Sequence, residues 1–199
     1  MWCPHPSTSE PVTARKSTRQ PPDTGQPDDV AAQGPPGDPE EVARIVCLRL
    51  LDRRAYTRAE LEAALRKRGV PDDAAERVLD RFVELRLIDD AALADGYARA
   101  QHRERGLAGR AVAMKLRQRG VDDEIVRTAV DRIDRDSELA AAQALVERRL
   151  RSLTGLDEAV QARRLVALLA RKGYSPGLAY EVVRSTLRSV AAADEFPVD

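Results

Sequence analysis

"ALRKRGVPD" (64–72), "KLRQRGVDD" (115–123) and "LLARKGYSP" (168–176) are three versions of one phrase, and their glycines stand 51 and 53 residues apart. Setting Gly69, Gly120 and Gly173 in register aligns the chain around them. Eight positions before each glycine stand Leu61, Val112 and Leu165, and four before stand Leu65, Leu116 and Leu169. Residues four apart share one face of a helix, so each copy carries an apolar stripe that runs up to its glycine. Just past it come Val70, Val121 and Tyr174; ten past come Leu79, Val130 and Val183; thirteen past come Phe82, Ile133 and, breaking the pattern, Thr186. Glycine is the usual left-handed residue after a helix end, because it has no Cβ to clash. Cap-type residues follow: Asp72 or Asp73, Asp122 or Asp123, and Ser175 ahead of Pro176. Each phrase therefore predicts a helix, a tight turn and a second helix. "TRAE" (57–60) adds a capping box, Thr57 to Glu60, at the start of the first pair.

One further amphipathic segment precedes each pair: "EEVARIVCLRLLDRR" (40–54), "DDAALADGYARAQHRER" (89–105) and "DSELAAAQALVERRLRS" (136–152). Asp89 or Asp90 is expected to cap the second, and Asp136 or Ser137 the third. The chain thus divides into three-helix repeats at 41–88, 89–135 and 136–190. From Glu41 onward Ala, Leu, Val, Arg and Glu dominate, strand alternation is absent, and only Pro71 and Pro176 interrupt before Ser189. The predicted fold is all-α: an elongated, curved array of three tandem repeats, about nine helices, in which each small unit needs its neighbour to complete its core. Repeats of 51 and 53 residues fit none of the common helical solenoids, which run from 34 to about 47 residues. Residues 1–40 hold nine of the twelve prolines and no apolar periodicity, so they read as a disordered tail, as does 191–199.

Bulk numbers exclude several function classes. No stretch approaches the roughly 18 apolar residues of a membrane span. "MWCPHPSTSE" lacks the apolar run of a secretory signal, and two cysteines, Cys3 and Cys47, make no disulfide framework, which together argue for the cytoplasm. The zero net charge hides an asymmetry: residues 1–40 carry three basic and six acidic side chains, leaving 30 basic against 27 acidic beyond them. That surplus is mild, short of a dedicated nucleic-acid binder. Two histidines, His5 and His102, cannot build a catalytic or metal constellation, and no phosphate-binding glycine motif is present. No cofactor or metal is expected, and the chain reads as a binding protein.

The basic residues of the phrase are the first candidate contacts: Arg66, Lys67 and Arg68; Arg117 and Arg119; Arg171 and Lys172. Two explanations stay open. Cations in a last helical turn are stabilised by the helix dipole, by roughly 0.3–1 kcal/mol each. A cationic knob repeated once per unit also suits a periodic acidic partner. A second cluster lies in "AQHRERGLAGR" (100–110), with Arg103, Arg105 and Arg110; Arg110 stands near a helix start, where the dipole offers no explanation. A DNA-reading helix-turn-helix is disfavoured, because Asp72, Asp73 and Glu76 would meet phosphates at the front of the reading helix.

"LLDRRAYTRAELEAALRKRGV" (50–70) followed by "LIDDAALADGYARAQHRERGLAGRAVAMKLRQRGV" (87–121) resembles the RecX family of recombinase regulators. The order of the "YTRAEL" helix start, "LIDD" before a tyrosine-containing helix, and the leucine-x-x-x-glycine ends carries the likeness. It covers about residues 41–190, and the third copy departs most, with "RKGYSP" and the longer "SLTGLD". The resemblance implies a non-enzymatic regulator of RecA, active in recombinational repair and the SOS response; a monomer is expected, with the oligomeric state left open by the sequence. It would bind RecA and the RecA–DNA filament, lodge in the filament groove, and suppress ATP hydrolysis, strand exchange and co-protease activity. On that reading the ten basic residues named above become candidate contacts to the filament or a DNA backbone. The alternative is a DNA-associated repeat protein acting without RecA.

Overall fold

The structure, a computed structural model, describes residues 37–195. The described residues form helices and no strand: α1 (Pro39–Leu51), α2 (Arg58–Lys67), α3 (Asp72–Glu84), α4 (Asp90–Arg105), α5 (Gly109–Gln118), α6 (Asp123–Val130), α7 (Arg135–Leu150), α8 (Glu158–Arg171) and α9 (Pro176–Glu195). The expected N-terminal tail lies outside the described residues as far as Pro36, as do residues 196–199. Within the expected C-terminal tail, residues 191–195 are instead helical. Ala191, Ala192 and Ala193 are the strongest helix formers available and carry α9 past the boundary set at 190.

Capping follows the sequence in most places and departs in two. Thr57 accepts from the Glu60 amide (3.1 Å) and Glu60 accepts from the Thr57 amide (3.0 Å), closing the capping box. Asp89 and Asp122 cap α4 and α6. At α3, however, Pro71 occupies the N-cap without a side-chain bond, so neither Asp72 nor Asp73 caps. Both lie inside the first turn, where Asp73 meets Arg77 (3.1 Å) and their charges favour the positive end of the dipole. At α7 the cap is Asp134, two residues ahead of the expected pair, because its carboxylate receives the Ser137 amide at 2.6 Å.

The three glycines end their helices alike. Gly69, Gly120 and Gly173 have φ of +74°, +75° and +89°. In each turn the glycine amide bonds the carbonyl three back, and the next amide reaches five back: Val70 to Leu65, Val121 to Leu116 and Tyr174 to Leu169, each at 3.2 Å. This is the Schellman arrangement, and the residue after the glycine is buried in all three. Beyond the turn the invariantly buried positions are six and nine past the glycine: Ala75, Val126 and Ala179, then Val78, Ala129 and Val182. Val130 and Ile133 are only half-buried, because α6 stops at Val130.

Each repeat packs its own three helices. Separate cores form around Leu61, Leu65 and Phe82, around Val112, Leu116 and Val126, and around Leu165, Leu169 and Val182. Completion by a neighbour is seen at the third repeat, whose core takes in Ala108 of the second. Every hydrogen bond between repeats among the described residues joins the first to the second or the second to the third.

Cys47 is fully buried in the first core, which pushes its thiol up to about 11. At pH 8 so high a value leaves about a hundredfold less thiolate than an exposed cysteine has. In a Cys3→Ser chain, iodoacetamide should therefore modify Cys47 only after guanidinium unfolding. Equal rates in the native and unfolded states would mean that the first core is open.

Candidate functional site

The turn glycines are also where the repeats meet. A Cβ on Gly120 would overlap that of Ala59 at the start of α2, and one on Gly173 would lie 2.6 Å from the Cβ of Ala111 in α5. The carbonyl before each glycine is taken by the helix start it faces. Thr57 Oγ1 donates to the Arg119 carbonyl (2.7 Å), and the Ala108 amide donates to the Lys172 carbonyl (3.0 Å). Thr57 and Ala108 occupy the same register position, twelve before their own glycine. The turn of each later repeat thus seats on the second helix of the one before.

Both ends of the array lack this contact. A Cβ on Gly69 would meet nothing within 4 Å. In the third repeat the positions of Ala59 and Ala111 fall on Arg163 and Arg164, and α8 begins fifteen residues before its glycine against eleven for α2 and α5. The third repeat thus presents two long cations and an extra helical turn where the first two present the alanine that seats the next turn.

The two joints differ in charge. At the first, Glu60 accepts from Arg119 through both oxygens (3.0 and 2.9 Å), and Arg54 reaches the same carboxylate at 3.3 Å. Arg54 lies 3.6 Å over the ring of Tyr56, and Arg119 lies 5.5 Å from that of Tyr97. Burial pushes the Glu60 carboxyl up, but bonds from Arg119, the Thr57 amide and Arg54, with the Arg119 charge, outweigh it and hold the group at about 2. A value below that of the unfolded chain stabilises fully above about pH 4.5, and that contribution disappears as pH falls toward 2. Melts between pH 5 and 2.5 should therefore show a shallower loss in Glu60→Gln than in the parent. Identical slopes would remove this coupling.

At the second joint the position of Glu60 is held by Ala111. Lys172 Nζ donates to the Arg105 carbonyl (2.6 Å), and the buried Tyr174 hydroxyl donates to the Gly106 carbonyl (3.2 Å). Glu138 is turned to the Gly109 amide (2.6 Å). His102 braces the α4–α5 loop, its Nδ1 lying 2.9 Å from the Leu107 carbonyl. Lys172 and the backbone of Arg105, 67 residues apart in sequence, thereby meet at this joint, and Arg103, Arg110 and Arg171 lie on the helix ends that flank it. None of these five cations makes an ion pair with a described residue.

The remaining candidates lie elsewhere. Arg66 is held by Glu62 (2.5 Å) and Asp72 (3.7 Å), and Arg117 by Asp123 (2.6 Å). Arg119 is tied into the first joint with only 20% of its side chain exposed. Lys67 and Arg68 are exposed on the free edge beside Gly69, where Arg68 donates to the Ala64 carbonyl (3.2 Å). Reading the slot as a uniform row missed the exchange of Glu60 for Ala111; the register nine before the glycine carries that signal.

No group of three or more His, Cys, Asp or Glu able to hold a metal occurs among the described residues, and no described helix is long and apolar enough to cross a membrane. A cleft of about 780 Å³ beside the first joint mixes Arg58 and Arg86 with Asp80, Glu84, Asp89 and Asp90, and its Arg58–Asp80 pair closes on itself. It has no single sign of charge to offer a ligand.

Helix triplets in tandem, each later turn seated on a helix start of the unit before it, define a class of helical-repeat proteins. Three family models match in chain order: RecX, first three-helix domain at residues 43–82; second three-helix domain at 89–130; and third three-helix domain at 136–183. The chain belongs to the RecX family. It is 49% identical over 170 residues to the regulatory protein RecX of Thermobifida fusca, covering 82% of this chain and 92% of that one. To the Streptomyces coelicolor protein of the same name it is 49% identical over 153 residues, covering 77% and 81%. The crystal structure of RecX from Lactobacillus salivarius shares the fold, with a TM-score of 0.68 at 19% identity over 78% of this chain and 98% of that one.

Proposed function

We propose that this chain is a non-enzymatic, cytoplasmic, monomeric regulator that binds RecA and RecA–DNA filaments. It lodges in the filament groove and inhibits recombinase, ATPase and co-protease activities. One observation supports the reading: Lys172 meets the Arg105 backbone at the second joint, Arg103, Arg110 and Arg171 flank it, and none of the five makes an ion pair with a described residue. A filament repeats its acidic groups at fixed intervals, and a chain of linked units can engage more than one of them. Two weak contacts joined in this way bind far better than either alone when the geometry admits both. Family membership supports a regulatory role.

The second reading, direct DNA association without RecA, rests on the same unpaired arginines, which also suit phosphates. Against it, Asp72, Asp73, Asp122, Asp123 and Glu124 are exposed at the starts of α3 and α6, where phosphates would be repelled. Co-sedimentation with RecA–single-stranded-DNA filaments, read alongside ATP hydrolysis, separates the two. The proposal expects filament retention and depressed hydrolysis at salt that abolishes retention on DNA alone. Equal retention on naked DNA, with hydrolysis unchanged, supports the second reading.

A further inference from the structure

The third repeat carries a charge distribution unlike that of the first two. Among the described residues, seven of the eleven cations in 41–88 and five of the ten in 89–135 make ion pairs, whereas none of the nine in 136–190 does. Three of those nine, Arg163, Arg184 and Arg188, rim a groove of about 580 Å³ between α8 and α9. Its floor is apolar, made of Ala162, Val166 and Leu187 among others, and Tyr180 stands at it 64% exposed.

The groove is continuous because each helix offers a stripe at helical spacing. On α8 the lining residues are 158, 162, 163, 166 and 167; on α9 they are 180, 183, 184, 187 and 188. At 1.5 Å per residue these stripes run about 12–14 Å, a little over two helical turns. A floor of aliphatic side chains accepts apolar anchors spaced three and four apart, and the arginine rim accepts carboxylates beside them.

We infer that the α8–α9 groove docks an acidic amphipathic helix of a protein partner, about two turns long. Leucine-type anchors enter the floor and Asp or Glu side chains meet Arg163, Arg184 and Arg188. A protein segment is favoured over nucleic acid for two reasons. The floor offers aliphatic surface and a single aromatic ring, where a strand of bases needs a series of stacking platforms. Glu158 also lines the groove, and a carboxylate there opposes a continuous run of phosphates while tolerating a peptide whose charges are placed. This surface lies apart from the second joint and goes beyond the filament contact proposed there.

The test uses the full chain and a labelled 16-residue synthetic helix bearing leucines at positions i, i+4, i+7 and i+11 and glutamates elsewhere on its flanks. Fluorescence anisotropy should show saturable binding, weakened at least about tenfold when the probe's glutamates are replaced by glutamine. Arg163→Glu/Arg184→Glu/Arg188→Glu should lose binding by a similar factor, and the three Arg→Lys replacements should keep most of it. Arg184→Ala alone, with circular dichroism and melting checked, covers the case in which the triple reversal does not fold. A variant at the second joint, Arg103→Ala/Arg105→Ala/Arg110→Ala, should bind the probe normally, which separates failure here from failure of the filament reading. The inference is overturned by any of four results: no binding, equal binding of the glutamine probe, tighter binding of a 16-nucleotide single strand through the same arginines, or a chain dimer that occludes the groove.

Discussion

Gly173→Ala should lower the melting temperature by about 10 °C, while Gly69→Ala, in a turn of the same geometry, lowers it by about 3 °C. Both replacements place an L side chain at positive φ, at a cost of about 1 kcal/mol. They differ in what the new methyl meets. At Gly69 it enters open space, but at Gly173 it lies 2.6 Å from the Ala111 Cβ, 3.0 Å from its amide nitrogen and 3.2 Å from its Cα. Backbone of a packed helix cannot give as the tip of a side chain can, so overpacking adds about 1–3 kcal/mol. For a domain of this size each kcal/mol is worth about 2–4 °C. Gly120→Ala should fall nearer Gly173→Ala than Gly69→Ala, because its methyl overlaps the Ala59 side chain. Equal losses at all three glycines would mean that the turns end helices and do nothing more.

Arg119→Met should cost about 3 kcal/mol, the range for removing one partner of a mostly buried ion pair. The change leaves Glu60 with Arg54 as its one cation beside the Thr57 amide, and takes away the 3.3 Å bond to the Ala55 carbonyl. The double variant Arg119→Met/Glu60→Gln should recover part of that loss, because no buried carboxylate is then left underpaired. Lys172→Met removes a lysine at the matching register position that faces a backbone carbonyl and no carboxylate, so it should cost about 1 kcal/mol or less. Strict additivity in the Arg119–Glu60 cycle, read by urea unfolding, would show that the pair does not hold the first two repeats together.

The fold was legible because its deciding features are local. A leucine stripe, a glycine and a cap-type residue are each sufficient reason for a helix to run, stop and restart, and the phrase repeats them three times. The departures have local causes as well. Pro71 occupied the cap position that Asp72 or Asp73 was expected to fill, and the Asp134 carboxylate reached the Ser137 amide ahead of the expected start of α7. The site was less legible, because its meaning lies in contacts between residues 59 to 68 apart: Arg119 with Glu60, Lys172 with Arg105, Tyr174 with Gly106. Periodicity shows that Arg68, Arg119 and Lys172 are equivalent positions. It does not show that the first lies on an open edge, that the second is neutralised by Glu60, or that the third faces Ala111 and leaves its neighbours' charge uncompensated. On the proposed reading, the partner explanation of the basic slot is confined to the third copy.

The account turns on the second joint, and one comparison tests it directly: inhibition of RecA–single-stranded-DNA ATP hydrolysis by matched charge variants. Arg103→Ala/Arg105→Ala/Arg110→Ala should weaken inhibition at least about tenfold, the loss of roughly 1.4 kcal/mol of contact, without changing the melting temperature by more than a few degrees. Arg66→Ala/Arg117→Ala, which removes cations already held by Glu62, Asp72 and Asp123, should inhibit like the parent. Full inhibition by the first variant together with loss in the second would contradict the assignment of the filament contact to the joint between repeats 2 and 3.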